Sequence, residues 1–321
     1  MSRPRGISKD FRSAFKNGLL SPVLERVKRD HTLDLQIREE EVHVYYRGGK
    51  LLGLTPASSS MEAFNCSFDR NYLGSDQTPP GVEDLPVLAR SVPDIEAWLR
   101  CFPHLKERMD FFYTAKAEKN EREFQQVITR ENNYANVSNE TDYFIVDSEY
   151  VHPSFPTGQV DLVAFKWKSE SSVRQKGQVG LSLIEVKYGD KALKGGSGLV
   201  EHVKRMTSLT RDANALNVTK GEMLSVFKQK RELGLVRFGS KGNRNEVNSF
   251  TSDAPEVMLL LVNHDPASSG LLAELRRLDE ADRNLLKIAV SNFFGYGLYE
   301  ECVFGFDEFL SRYARQLNSR A

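Results

Sequence analysis

The sequence predicts an α/β protein, with a mixed central sheet flanked by helices and a smaller α+β accessory region in front of it. Three observations carry this. A long helical stretch precedes three strand-like segments, and a helix and a strongly apolar fourth strand follow them. The first third of the chain alternates apolar and polar residues in short runs, the period of half-buried antiparallel strands. Hydrophobic residues make up 40% and charged residues 27% of 321 residues, enough apolar surface to build a folded core.

In order along the chain, Leu33, Leu35 and Ile37 alternate with polar residues, as do Val42, Val44 and Tyr46. Gly48-Gly49 allows the positive φ of a tight hairpin, and Leu51 to Leu54 returns. This predicts a small antiparallel meander. Ser67 to Pro86 is rich in Asp, Gly and Pro and reads as loop, and Pro93 opens a helical stretch near Ile95 to Leu99. The boundary is placed near Asp110, giving an accessory region over residues 1–110 and a second domain over 111–321. A helix is expected from Ala115 to Ala135, then strands at Tyr143–Val151, Gln159–Trp167 and Gly180–Tyr188. The turn Gly195-Gly196-Ser197-Gly198 leads to a helix from Leu199 to Leu209. A basic helix follows over Lys220 to Leu233, then a polar loop over Gly239 to Asp253 and a strand at Val257–Asn263. The chain closes with a helix at Leu271–Leu278, strands at Leu286–Ser291 and Glu301–Phe306, and a helix N-capped by Asp307 and running to Leu317.

Composition excludes several classes. No run approaches the ~20 apolar residues of a membrane helix, so no membrane role is expected. The basic stretch Ser2 to Lys16 lacks the apolar core of a secretory signal and reads as a solvated arm. Cys66, Cys101 and Cys302 have neither disulfide nor zinc spacing, which fits a reducing cytoplasm. A net charge of zero argues against coating nucleic acid through bulk charge but leaves room for a local basic groove. Such a groove is suggested by seven basic residues against three acids between Val218 and Phe250.

The chemistry concentrates in two strands. Leu181-Ser182-Leu183-Ile184-Glu185-Val186-Lys187 places Glu185 and Lys187 on the same row as Leu181 and Leu183, since residues i and i+2 share a face. Charges on a core-facing row are costly unless paired or metal-bound. Upstream, Asp161 enters the apolar strand Val160 to Phe165 and shares its face with Val163 and Phe165. If the two strands pair as a hairpin, Asp161 and Glu185 stand side by side. Two converging carboxylates suit Mg²⁺, with Mn²⁺ as an alternative. Lys187 can then position or deprotonate the attacking water, or screen charge on a phosphate.

On the preceding helix, Phe124, Val127, Ile128, Tyr134 and Ala135 form an apolar stripe with Glu131 in its middle and Glu123 and Arg130 at its edge. Glu131 is the first candidate for a third carboxylate and Glu123 the second. Arg130, Lys204, Arg205, Lys228, Lys230 and Arg231 are candidates for contacts to a nucleic-acid backbone. Plainer readings compete: an exposed Glu185–Lys187 salt bridge, an Asp161 that accepts backbone hydrogen bonds, and polar surface helices.

Asp161, a hydrophobic strand, a loop and then Ile184-Glu185-Val186-Lys187 resemble the signature of the PD-(D/E)XK nucleases. The resemblance covers about half the chain. It implies a restriction-endonuclease-like αβββαβ core in which Asp161, Glu185 and the Val186 carbonyl hold Mg²⁺. It also implies Lys187 as the third catalytic group and a helix glutamate, Glu131 or Glu123, as a further ligand. DNA is the implied substrate, with a homodimer where both strands are cut. Val160 stands where the signature has proline, and the loop between the strands is long.

Overall fold

The computed structural model describes residues 5–73, 82–115, 120–134, 141–152, 155–189, 193, 198–236, 246–263, 269–291, 298, 300 and 303–318. It divides into two compact units. The first holds Met1–Arg130 and Ser225–Arg237, and the second holds Glu131–Leu224 and Phe238–Ala321. The division therefore falls after the expected boundary near Asp110, and a later segment returns to the first unit.

The first unit begins with α1 (Lys9–Asn17), capped by the Ser8 side chain on Phe11 N–H, and α2 (Ser21–Arg29). The expected solvated arm is thus corrected. Phe11, Ala14 and Phe15 repeat at helical spacing and are buried, while Lys9, Arg12 and Lys16 lie on the other side of the helix. A five-stranded antiparallel sheet follows in chain order: β1 (Leu33–Ile37), β2 (Val42–Tyr46), β3 (Gly49–Pro56), β4 (Phe64–Ser67) and β5 (Leu88–Ala89). The expected meander is present, extended by two short strands. Its first hairpin turns through Arg47 and Gly48, both at positive φ (50° and 75°), the pairing a two-residue type I′ turn requires. A Cβ on Gly48 would lie 2.2 Å from the Arg122 carbonyl oxygen, so only glycine fits.

Helix α3 (Val92–Ala115) extends the helical stretch expected near Ile95 to Leu99, and helix α4 (Asn120–Asn133) falls within the helix expected from Ala115 to Ala135. Arg47 forks onto Glu123 at 2.7 and 2.8 Å and also reaches Asp110 at 2.9 Å. Tyr46 donates to Asp110 as well. The Tyr45-Tyr46-Arg47 run is therefore tied down inside this unit.

At the end of α2, Asp30 accepts from Lys106 (2.6 Å), Arg26 (3.1 Å) and Thr32. Burial alone would raise its pKa, but the Lys106 and Thr32 hydrogen bonds outweigh burial and lower it to about 2. A carboxylate whose folded pKa is depressed stabilises the fold above its unfolded value of ~3.9, and that contribution is lost as pH falls through the folded value. Thermal melts between pH 5 and pH 2 are therefore expected to fall less steeply in Asp30→Asn than in the parent chain. Parallel curves would show that Asp30 carries no such linkage.

The second unit contains β6 (Tyr143–His152), β7 (Phe155–Lys166), α5 (Ser171–Arg174), β8 (Gln178–Tyr188), α6 (Leu199–Arg211) and α7 (Ala213–Glu232), whose last residues belong to the first unit. It continues with β9 (Ser249–Phe250), β10 (Glu256–Val262), α8 (Ser269–Arg276), α9 (Glu280–Arg283), β11 (Leu286–Ser291), β12 (Val303–Gly305) and α10 (Phe306–Asn318). The sheet runs β12-β11-β10-β8-β7-β6, and β9 adds to β8. Strands β6, β7 and β8 are antiparallel, whereas β8, β10 and β11 run parallel. This is the mixed sheet flanked by helices that the sequence predicts.

From Leu181 to Lys187 every residue of β8 is buried, and so is every residue of β10 from Val257 onward. Strands covered on both faces read as continuous apolar runs, as β10 does from Val257 onward, whereas β8 departs from that pattern at Ser182, Glu185 and Lys187. Part of the expected 239–253 loop is the short strand β9, while Arg237, Lys241 and Arg244 lie outside the described residues, as do Gly195 to Ser197 and Cys302. Cys66 and Cys101 are free and buried, and burial pushes the Cys66 thiol up to about 12.

Candidate active site

The β7/β8 ladder pairs Leu162 with Ile184 and Val163 with Leu183. One residue beyond its last pair, Asp161 reaches the position facing Glu185. There the carboxylate takes over from the ladder, and Asp161 Oδ2 accepts the Val186 N–H at 2.8 Å. Asp161 is 7% exposed, Glu185 0% and Lys187 3%. The exposed salt-bridge reading of Glu185 and Lys187 is thereby excluded, because the pair lies in the core. The parallel register with β10 sets Glu185 beside Leu259 and Lys187 beside Leu261, so the charged row is walled by leucines.

Glu185 is crowded on one oxygen and, among the described residues, bare on the other. Lys187 Nζ stands 2.6 Å and His202 Nδ1 2.5 Å from Oε1. Neither approach has the direction of a hydrogen bond, and Oε2 has no donor among the described residues. Both ring nitrogens of His202 also lack a hydrogen-bond partner among the described residues.

Glu256, one strand over, shows what a structural carboxylate looks like in this sheet. It accepts from Lys166, Ser182 and Tyr143 at 2.9, 2.9 and 3.0 Å. A buried carboxylate left short of donors is costly, and that cost sets Glu185 apart from Glu256. Carboxylate oxygens beside an imidazole form a donor set that fits a divalent cation. Glu185 and His202 meet directly, and Asp161 stands across the ladder with one oxygen on Val186 N–H. Among the described residues no group of three such side chains is gathered as a finished metal cage.

His202 comes from α6, which packs on β7, β8 and β10. From the sequence, this helix offers Lys204 and Arg205 as candidates, and the meeting of His202 with Glu185 is not foreseen. The signal was there: His202 lies three residues after Leu199 and four before Met206, both buried, so it flanks the helix's inward stripe. On the same helix Lys204 is exposed and Arg205 half-buried.

The other candidates lie on other elements. The buried face of α4 is Gln125, Ile128, Thr129, Asn132 and Asn133, rotated by about one position from the expected stripe. Phe124, Val127 and Glu131 are only half-buried. The reason is that the inward positions are polar but satisfied. Asn133 donates to the Ile145 carbonyl (2.7 Å) and accepts the Ile145 N–H (2.8 Å), behaving as one residue of an extra strand along the β6 edge. Asn132 accepts from Leu298 N–H. Asn133→Ala is expected to lower stability by about 1–3 kcal/mol, the cost of stranding a buried backbone donor and acceptor. Denaturant titration reads this directly, and an unchanged midpoint would mean that water replaces the amide.

Glu123 lies in the first unit with its carboxylate held by the Arg47 fork, which argues against its role as a free metal ligand. Arg130 lines a polar cleft of that unit with Tyr46, Arg47, Asp110, Glu123 and Gln126. Lys230 is a correction. It is fully buried and donates to Gln36 Oε1 at 2.8 Å, so it presents no charge to a phosphate backbone. Its neighbours Lys228, exposed, and Arg231, half-buried, remain at the surface of the first unit.

The chain matches no family model, no curated protein and no solved structure. Among the described residues, no helix is long and apolar enough to cross a membrane.

Proposed function

We propose that this protein is a metal-dependent nuclease of the PD-(D/E)XK type that hydrolyses phosphodiester bonds in DNA. The observation that carries the reading is Glu185. It is wholly buried and, among the described residues, short of hydrogen-bond donors, with Lys187 on the same strand row and Asp161 at the facing position of the neighbouring strand. The run α4, β6, β7, β8, α6, β10, with β8 and β10 parallel across a helical crossover, supports a restriction-endonuclease-like αβββαβ core.

In this reading Asp161, Glu185 and the Val186 carbonyl hold Mg²⁺ or Mn²⁺. When bound, the ion supplies Lewis-acid polarisation of the scissile phosphate. Lys187 Nζ holds the attacking water or a non-bridging phosphate oxygen, and its position beside Glu185 fixes where that ammonium points. Water adds to phosphorus, the ester P–O bond breaks, and one proton passes to the leaving oxygen. The burial of Glu185 and Lys187 strengthens each electrostatic contact at the site. Lys204 and Arg205 on α6 contact the backbone of the strand, and a homodimer would serve double-strand cutting.

A second reading is a nuclease-fold module that binds nucleic acid or a protein without cutting. It is favoured by the Asp161–Val186 hydrogen bond, which occupies one of the two Asp161 carboxylate oxygens with a backbone group. Incubation of linear, circular and single-stranded DNA, and of RNA, with Mg²⁺ or Mn²⁺ separates the two. Cutting that disappears in Asp161→Asn supports the nuclease. Tight binding without any cutting under either metal supports the module.

A further inference from the structure

We infer that His202 is a direct nitrogen ligand of the divalent ion held at Glu185, and that the site therefore favours a first-row transition ion such as Mn²⁺ over Mg²⁺. The inference rests on the metal-site reading above and adds to it a residue from a different element. Three observations point the same way. His202 Nδ1 approaches Glu185 Oε1 to 2.5 Å without hydrogen-bond direction, so an imidazole nitrogen and a carboxylate oxygen from two different elements meet in one buried place. Glu185, 0% exposed, has an oxygen with no donor among the described residues. The His202 side chain is 15% exposed, and neither of its nitrogens has a hydrogen-bond partner among those residues.

A structural histidine beside a buried carboxylate normally donates along its N–H axis. This one does not, although helix α6 brings it close enough. A neutral imidazole suits transition ions far better than Mg²⁺, which prefers oxygen and keeps its waters. A ligand set of carboxylates alone would discriminate much less between the two.

The test uses the full-length protein loaded with Mn²⁺ and pulsed electron paramagnetic resonance, which detects a nitrogen nucleus bound directly to the ion. The expected result is ¹⁴N modulation that changes to the ¹⁵N pattern when the histidines are isotopically labelled and vanishes in His202→Gln. Calorimetry is expected to show Mn²⁺ affinity falling at least about tenfold in that variant, the lower end of what loss of even an outer-shell partner costs a metal site. Mg²⁺ affinity, read by competition, is expected to change less. If His202→Gln unfolds, His202→Asn takes its place, and the labelled parent chain still decides whether an imidazole is bound.

Mn²⁺ bound without nitrogen coupling, coupling that survives loss of His202, or no Mn²⁺ binding at all would each overturn the inference. The nuclease reading stands or falls separately. Cleavage that persists without nitrogen coupling sinks only this inference. Nitrogen coupling in a protein that cuts nothing supports it while sinking the nuclease.

Discussion

Asp161→Asn is expected to lower metal-dependent cleavage by at least about 100-fold, the upper end of what losing one outer-shell partner costs a metal site, while the fold stays intact. The substitution is nearly isosteric. The asparagine carbonyl oxygen can still accept the Val186 N–H that Asp161 Oδ2 accepts at 2.8 Å, so the local backbone keeps its partner. What is lost is one negative charge beside Glu185 and one hard oxygen donor. Initial rates on linear DNA, with circular dichroism as the folding control, read the effect. Unchanged cleavage in a folded variant would remove Asp161 from the chemistry and leave it a strand-pairing role only.

Replacement of Lys187 acts on stability as well as activity. Lys187→Met is expected to destabilise the second unit by about 3–5 kcal/mol, because it leaves a wholly buried carboxylate without its ion-pair partner. The double variant Glu185→Gln/Lys187→Met is expected to recover most of that loss, since a neutral amide among leucines costs far less than a lone charge. Denaturant midpoints for the four corners of this cycle give the coupling between the two residues.

Cleavage follows a different pattern. Loss of the Lys187 ammonium is expected to cost on the order of 10²–10⁴-fold in rate, the range of a positioned acid–base group, and the double variant recovers none of it. Stability and activity thus part company in the double variant. Additive destabilisation in the cycle would show that Glu185 draws its compensation from elsewhere.

Much of the second unit was legible from periodicity. The strands at 143–152, 155–166, 178–188 and 256–262 fall where alternation and apolar runs predict them. Asp161, Glu185 and Lys187 stood out because each interrupts an apolar run, and the register brings the first two to facing positions. Other features misled. Five basic residues near the N-terminus masked Phe11 and Phe15, whose helical spacing makes α1 amphipathic. The apolar residues of α4 suggested one face, but Asn132 and Asn133 are drawn inward because backbone groups of the second unit wait there for hydrogen bonds. Lys230 read as part of a basic surface and is buried on Gln36.

What the sequence by itself determined is which residues share a row. Strand and helix periods are local geometry, so the same-face placement of Glu185 with Lys187, and of Asp161 with Val163, needs only the spacing of residues along the chain. What only the tertiary structure decided is who meets whom across elements and which charges lose their water. His202 touches Glu185 because a crossover helix folds back over β7, β8 and β10, a contact between residues distant in sequence. The Glu185–Lys187 pair is buried because neighbouring strands and that helix close over it, and desolvation depends on everything packed around a group, not on the group's own neighbours in the chain.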